Sequence, residues 1–194
     1  MKTTNNLNFN DDNMLQTQPI TKTMTDFKLI EKLYRNAFPK QERIPMGSLL
    51  SRAKHKDIHF DTYYDGDTVV GLSYIITHKD ITYLFYLATG SKIRSKGYGK
   101  QILSHIKANY YNQRLVLNCL AEDTQADDND LRLRRQNFYL RNGYTHTGFS
   151  CDLSGNHVIV FVQNGTITTK EFSAIFKKFW GPIMFMFFKP KMRD

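Results

Sequence analysis

Residues 83–107 read YLFYLATGSKIRSKGYGKQILSHIK. The aromatic and apolar run 83–88 has strand character, a polar and basic turn follows, and beyond Gly97-Tyr98-Gly99 the residues Ile102, Leu103 and Ile106 recur at helical spacing. The pattern predicts a strand, a glycine turn and the start of an amphipathic helix. Backbone N–H groups in a helix's first turn lack intrahelical acceptors and stand at the positive end of its dipole, so such a turn binds anions. Gly97 and Gly99 allow a ligand close to the backbone, and Lys92, Arg94, Lys96 and Lys100 surround the same point with positive charge. A diphosphate is the ligand this chemistry favours.

Working outward, 114–120 (RLVLNCL) is a short apolar strand that returns beside the first, which makes a βαβ unit. Upstream, 59–64 and 68–77 are strand-like runs joined by Asp65-Gly66-Asp67, and Lys79-Asp80 turns the second into the run at Ile81, an antiparallel meander. Asp26 opens a helix with Phe27, Ile30, Leu33 and Ala37 at helical spacing, Pro39 ends it, and Pro45 opens a shorter one at MGSLLSRAK. A first strand is expected near 17–24. Downstream, the acidic loop 121–129 precedes a helix capped by Asn129 or Asp130 and stopped at Gly143. A hairpin, 144–153 and 157–163, and a helix starting at Thr168 or Thr169 complete the order.

At 194 residues, 41% hydrophobic and 13% aromatic, the chain is long enough for a substantial single core and too apolar for a disordered protein. Its two cysteines, Cys119 and Cys151, form no CxxC pattern, and its six histidines show no HExxH spacing, so no metal site or disulfide framework is indicated. The N-terminus has no apolar run of signal-peptide type, and a reducing, cytoplasmic location is expected. The net charge of +9 suits nucleic acid, anionic lipid or a phosphorylated ligand. No nucleic-acid motif is present, and many of the cations are accounted for at the glycine turn or in the tail, so no nucleic acid is expected as partner.

The order of elements and two motifs together resemble the GNAT superfamily of acetyl-CoA-dependent N-acetyltransferases. The first motif is the phosphate loop Arg94-Ser95-Lys96-Gly97-Tyr98-Gly99, preceded by Leu87-Ala88-Thr89; the second is Phe138-Tyr139 with Asn142-Gly143-Tyr144. AFPKQERIP at 37–45 is also similar to the linker between the first two helices of some small bacterial members. Ser95 departs from the usual glycine and Ser91 from a frequent proline, and Arg132 stands where an asparagine often touches the pantetheine arm. The resemblance implies an α/β (α+β) fold: a mixed, mostly antiparallel sheet of about six to seven strands, flanked by helices, with a central βαβ unit whose strands splay. The domain would span 19–165, between a disordered tail at 1–18 and a C-terminal helix and aromatic, basic tail at 166–194.

The resemblance further implies acetyl-CoA as cosubstrate, without a metal, and as acceptor a primary amine of a small molecule, a peptide or a lysine. CoA would lie between the strands at 81–88 and 114–120. Its pantetheine would pair with the backbone at Leu87 and Thr89, and its pyrophosphate would rest on the N–H groups of 94–100, from Arg94, Ser95, Lys96, Gly97, Tyr98 and Gly99 to Lys100. A backbone N–H near Ala88 or Thr89 would meet the developing oxyanion, and Tyr139 matches the tyrosine that protonates the departing thiolate. For the base, Glu122 falls just past the strand LVLNCL, where the strands part; a solvated loop carboxylate has the same signature. A non-catalytic module that binds CoA or another phosphorylated ligand is the alternative reading. In the tail, Phe172, Phe176, Phe179, Trp180, Phe185, Phe187 and Phe188 alternate with lysines and arginine, a composition that suits packing on the domain's own sheet, a homodimer contact or a membrane surface.

Overall fold

The computed structural model describes residues 15–90 and 96–193. The tail expected at 1–18 lies outside the described residues up to residue 14, as do Lys92, Arg94 and Ser95. The elements are β1 (Gln16–Pro19), α1 (Phe27–Ala37), α2 (Met46–Arg52), β2 (Ile58–Asp65), β3 (Thr68–His78), β4 (Ile81–Thr89), α3 (Tyr98–Asn109), β5 (Arg114–Leu120), α4 (Asn129–Arg141), β6 (Thr145–Leu153), β7 (Asn156–Gln163), α5 (Thr169–Phe188) and β8 (Lys191–Arg193), with a single 3-10 turn at Lys40–Glu42 between α1 and α2. Eight strands form one sheet in the order β1-β2-β3-β4-β5-β7-β6-β8. Every pairing is antiparallel except β4 with β5.

The sheet departs from the sequence pattern at both of its borders. The first strand stops at Pro19, because 21–26 turn into α1, and the three-residue β8 adds an eighth strand against β6. The helix after the acidic loop starts at Asn129 with Asp128 at its N-cap, and Asp128 accepts from Arg132 Nε at 2.7 Å instead of capping the backbone with its side chain.

Two cores cover the two faces of the sheet. On one face, Ile30 and Tyr34 of α1, Leu49 of α2 and Phe172, Ile175, Phe176 and Phe179 of α5 pack on Leu72, Tyr74, Tyr83 and Val160. On the other, Ile102, Leu103 and Ile106 of α3 pack with Leu84, Leu117, Tyr144 and Phe161, and Phe138 and Tyr139 of α4 lean on them. Each such fully buried side chain contributes roughly 1.5–3 kcal/mol relative to exposure, which is why the spacing of Ile102, Leu103 and Ile106 shows in the sequence.

A bulge in β4 positions the site. Tyr74 and Ile75 are consecutive in β3, yet they face Tyr86 and Leu84, so Phe85 is an extra residue. Before the bulge Ile81 and Tyr83 face the α1–α5 core; after it Tyr86 and Ala88 do, and Leu84 and Leu87 face the α3 side. A bulge bends a strand and re-aims its side chains. Here β4 pairs with β5 only from Ile81–Arg114 to Leu84–Leu117, although both strands continue for several residues. The two strands part at the bulge.

Helix α5 begins with a capping box, in which Thr168 Oγ1 accepts from the Glu171 N–H and Glu171 accepts from the Thr168 N–H. It breaks at Gly181, whose φ of 74° no β-carbon-bearing residue adopts readily, and Pro182 follows. Phe172, Ile175, Phe176 and Phe179 ahead of the break are buried on the sheet, whereas Ile183, Met186 and Phe187 beyond it are largely exposed. Among the described residues no helix is long and apolar enough to cross a membrane.

Candidate active site

A cavity of about 1330 Å³ opens where β4 and β5 part. Its floor is the bulged half of β4, with Phe85, Leu87, Ala88 and Thr89, and the end of β5, with Asn118 and Cys119. Phe138 and Tyr139 of α4 form one wall, residues 38–45 form the roof, and Phe176 and Trp180 of α5 with the β6–β7 turn close the far side.

The roof is held by two tyrosines. The Tyr86 hydroxyl donates to the Glu42 carbonyl at 2.6 Å, and the Tyr34 hydroxyl both donates to the Ile44 carbonyl and accepts from the Ile44 N–H, each at 3.0 Å. Their rings meet edge to face at 5.2 Å between centroids, with Phe38 against both. Tyr86 reaches the roof only because the bulge turns it to this face of the sheet. Burial pushes both phenols up, so both remain protonated donors at any physiological pH.

The glycine turn stands beside this cavity. Gly97 caps α3 with φ of 85°, in the left-handed region that glycine adopts without cost, and its carbonyl accepts the first helical bond from Gln101 at 3.1 Å. A β-carbon on Gly99 would lie 3.1 Å from the ring of Phe138, so α3 meets α4 at close range there. The two sequence motifs, thirty-nine residues apart at these positions, therefore touch. The Tyr98 hydroxyl donates to the Asp65 carboxylate at 2.5 Å and ties the turn to the β2–β3 hairpin. Lys96 and Lys100 are exposed.

The expected donor-site residues Leu87, Ala88 and Thr89 line the cavity, and the backbone from 85 to 89 has no β5 partner. An extended chain such as a pantetheine arm can hydrogen-bond to this free strand edge, and the helix N-terminus at Gly97 suits a diphosphate; the residues present fit CoA. Tyr139 lines the cavity too. Burial pushes its phenol pKa up, Cys119 adds to the effect and Arg135 opposes it, so the hydroxyl holds its proton at neutral pH.

Glu122 is not brought to this group. Ala121 is buried and its N–H donates to the His157 carbonyl at 3.0 Å, continuing the β5–β7 edge, so the next side chain faces solvent and lies outside the cavity lining. Arg132 Nη1 and Gln136 Nε2 of α4 fasten the same corner by donating to the Ala121 and Leu120 carbonyls at 3.2 Å. Two half-buried carboxylates line the cavity, Glu42 in the roof and Asp128, which Arg132 engages; Glu42 is the one without a salt bridge among the described residues. Burial raises its pKa, the nearby Arg135 works against that, and Asp128 adds to it. Arg135 also acts on Tyr139 and Cys119, which places all four groups in one electrostatic neighbourhood. The sequence signal for Glu42 is the stretch AFPKQERIP, which periodicity alone does not connect to β4.

Residues 56–146 match the family model described as Acetyltransferase (GNAT) domain. Among solved structures, a GNAT-family protein from Bacteroides thetaiotaomicron is 22% identical, with a TM-score of 0.68 over 87% of this chain and 98% of that one. An aminoglycoside 6'-N-acetyltransferase complexed with coenzyme A is 16% identical, with a TM-score of 0.61 over 76% and 96% of the two chains. A GNAT family acetyltransferase from Elizabethkingia anophelis with acetyl-CoA bound is 14% identical, with a TM-score of 0.55 over 78% and 98%. At these identities the likeness is one of fold. No curated protein matches the chain in sequence.

Proposed function

We propose that the chain, which matches the GNAT acetyltransferase domain model over residues 56–146 and shares the fold of GNAT proteins, is a member of that superfamily and transfers an acetyl group from acetyl-CoA to a primary amine. The observation that carries the reading is the parting of β4 from β5 at the Phe85 bulge, which leaves a free strand edge between a glycine-capped helix and a protonated tyrosine. Relatives of the same fold hold CoA and acetyl-CoA, which supports the donor.

Acetyl-CoA supplies an activated acyl group as its thioester. The backbone at Leu87 and Thr89 orients the pantetheine arm, and the N–H groups at Gly97–Lys100, with the preceding loop through Arg94 and Ser95, receive the pyrophosphate. A backbone N–H near Ala88 or Thr89 faces the carbonyl oxygen as negative charge gathers on it. The amine nitrogen forms its bond to the acyl carbon and the carbon–sulfur bond breaks. Glu42 accepts the amine proton, directly or through a water, and Tyr139 donates its proton to the leaving sulfur. Both groups then return to their starting states by exchange with solvent. Glu42 takes the role that the strand-end position suggested for Glu122, because it is half-buried and lines the cavity. The setting proposed for this reaction is the cytoplasm, where acetyl-CoA is made and free thiols such as Cys119 and Cys151 persist.

Native mass spectrometry of the purified protein for bound CoA, followed by a thiol-release assay across a panel of amines, tests the reading. Bound CoA and amine-dependent thiol release are expected. CoA binding with no release for any amine would support a CoA-binding module instead, and absence of CoA binding would defeat both.

A further inference from the structure

We infer that the acceptor is a small amine that also carries an anionic group, a carboxylate or a phosphate, held by arginines of the roof and of α4. The inference rests on the acetyl-transfer reading above and names the substrate class of that site.

Positive side chains line the cavity from three separate elements. Lys40 and Arg43 come from the roof, Arg52 from α2, and Arg134 and Arg135 from α4. Arg35, at the rim, is satisfied by Glu31 at 2.9 Å. Against them stand two carboxylates in the lining, and Asp128 is already taken by Arg132 at 2.7 Å. Glu42 remains as the one carboxylate of the lining, among the described residues, without a salt bridge.

Internal partners do not account for these cations. Among the described residues Lys40, Arg43, Arg134 and Arg135 make no salt bridge, and Arg43 Nε is buried with no hydrogen-bond partner. A buried donor without an acceptor is a cost that a ligand's anionic oxygen removes. Arg52 is differently placed: it donates to the Phe179 carbonyl and lies 4.7 and 5.1 Å from the ring centroids of Phe179 and Trp180, which fixes its guanidinium in position. Cations converging on a concave, half-dry surface focus a positive potential that attracts anions and repels polycations. One exposed arginine is ordinarily solvated surface; several on one cavity, with a single unpaired carboxylate among them, select charge.

The arrangement also fits the chemistry of the step. The amine needs a carboxylate beside it, and Glu42 is there; the remainder of the acceptor then lies among cations. An acceptor with several amines and no acid would meet that field unfavourably. An aminoglycoside, the compound class after which one structural relative is named, is of this disfavoured kind.

The test pairs amines that differ only in the anion. Initial rates are measured for 4-aminobutyrate against n-butylamine, O-phosphoethanolamine against ethanolamine, and kanamycin as a polycation. In parallel, calorimetry measures binding of the two anionic amines to protein saturated with CoA, so that the diphosphate site is already filled, at about 0.15 M salt. The expected result is that kcat/KM favours an anionic member of a pair by about tenfold or more, that the same compound binds the CoA complex, and that Arg43→Gln and Arg135→Gln each reduce both effects while Arg43→Lys restores part of them. Circular dichroism confirms that the variants fold. Carboxylate against phosphate identifies which anion the site prefers. Equal or better use of the amines without an anionic group or of kanamycin, or failure of both anionic amines to bind the CoA complex, overturns this inference and leaves acetyl transfer standing. Arginine-dependent binding of an anionic amine with no acetylation of any amine upholds the charge selection and overturns acetyl transfer.

Discussion

Glu42 and Tyr139 divide the proton transfers of the proposed reaction: burial keeps Tyr139 protonated as the donor, and the same effect works against the ionised form that Glu42 needs as the base. A general base works in its ionised form, and burial raises the Glu42 pKa. The acid limb of the pH profile of kcat/KM should therefore lie above the ordinary carboxylate range, with activity lost as pH falls through it. Glu42→Gln should lower the rate by about 10²-fold and flatten that limb, whereas Glu122→Gln, on an exposed loop, should leave rate and limb in place; the reverse pattern would return the base to Glu122. Tyr139→Phe removes the proton donor and keeps the ring that packs at 5.4 and 6.0 Å from Phe138 and Phe161. Turnover should fall by about 10²-fold with CoA affinity, measured by calorimetry, nearly unchanged; an unaltered rate would remove Tyr139 from the mechanism. Tyr86→Phe tests the roof. It deletes the bond to the Glu42 carbonyl, a loss of about 1 kcal/mol, and should raise KM for the amine more than it changes CoA affinity.

At the scale of elements, the βαβ unit was legible because its signals are local: a period-2 run, glycines, then apolar residues at helical spacing. Gly97 shows what the local signal encodes. With φ of 85° it has the conformation that costs an alanine about 1 kcal/mol, so Gly97→Ala should lower thermal stability and weaken CoA binding together. The bulge at Phe85 was not legible, since an extra residue in one strand is defined only against its partner, and YLFYLA reads as an uninterrupted strand. For the same reason the roof's role was hidden: AFPKQERIP meets β4 only through Tyr34 and Tyr86, and the phase change at Phe85 decides that Tyr86 faces it. A second tertiary device joins the start of β5 to α5. Arg114 donates to Asp80 and Glu171, each at a closest 2.8 Å, and to the Thr166 carbonyl at 2.6 Å. The Arg114 bond, with those from the Thr168 N–H and hydroxyl, holds the Glu171 carboxyl down at about 2, from an ordinary 4.5. A depressed carboxylate contributes stability that is fully present above pH 4.5 and is lost as pH falls toward 2. The group is partly exposed, so the contribution is below about 1 kcal/mol. Glu171→Gln should make the melting temperature less sensitive to pH across that window.

At the scale of the molecule, the sheet's composition was readable and its borders were not. The apolar runs of β2 to β5 and β7 identify themselves, because strands covered by helices on both faces must be apolar. β1 was expected near 17–24 and spans only Gln16–Pro19, while β8, three residues with little apolar content, is a strand only through its partner β6. The aromatic residues of α5 likewise suited three environments in sequence, and the break at Gly181 assigns Phe172, Phe176 and Phe179 to the sheet. The cationic lining of the cavity could not be read from a net charge of +9, because convergence of Lys40, Arg43 and Arg135 is a property of the cavity and not of any segment. The place of β8 has its own consequence. It occupies the hydrogen-bonding edge of β6 from Ser150 to Asp152, and Arg193 fastens it by donating to Asp152 at 2.8 Å. An uncovered strand edge templates pairing with other chains. Deleting residues 191–194, which uncovers the Ser150–Asp152 edge, should therefore make the preparation self-associate with rising concentration in light scattering, so that three residues far from the cavity set how concentrated the protein can be.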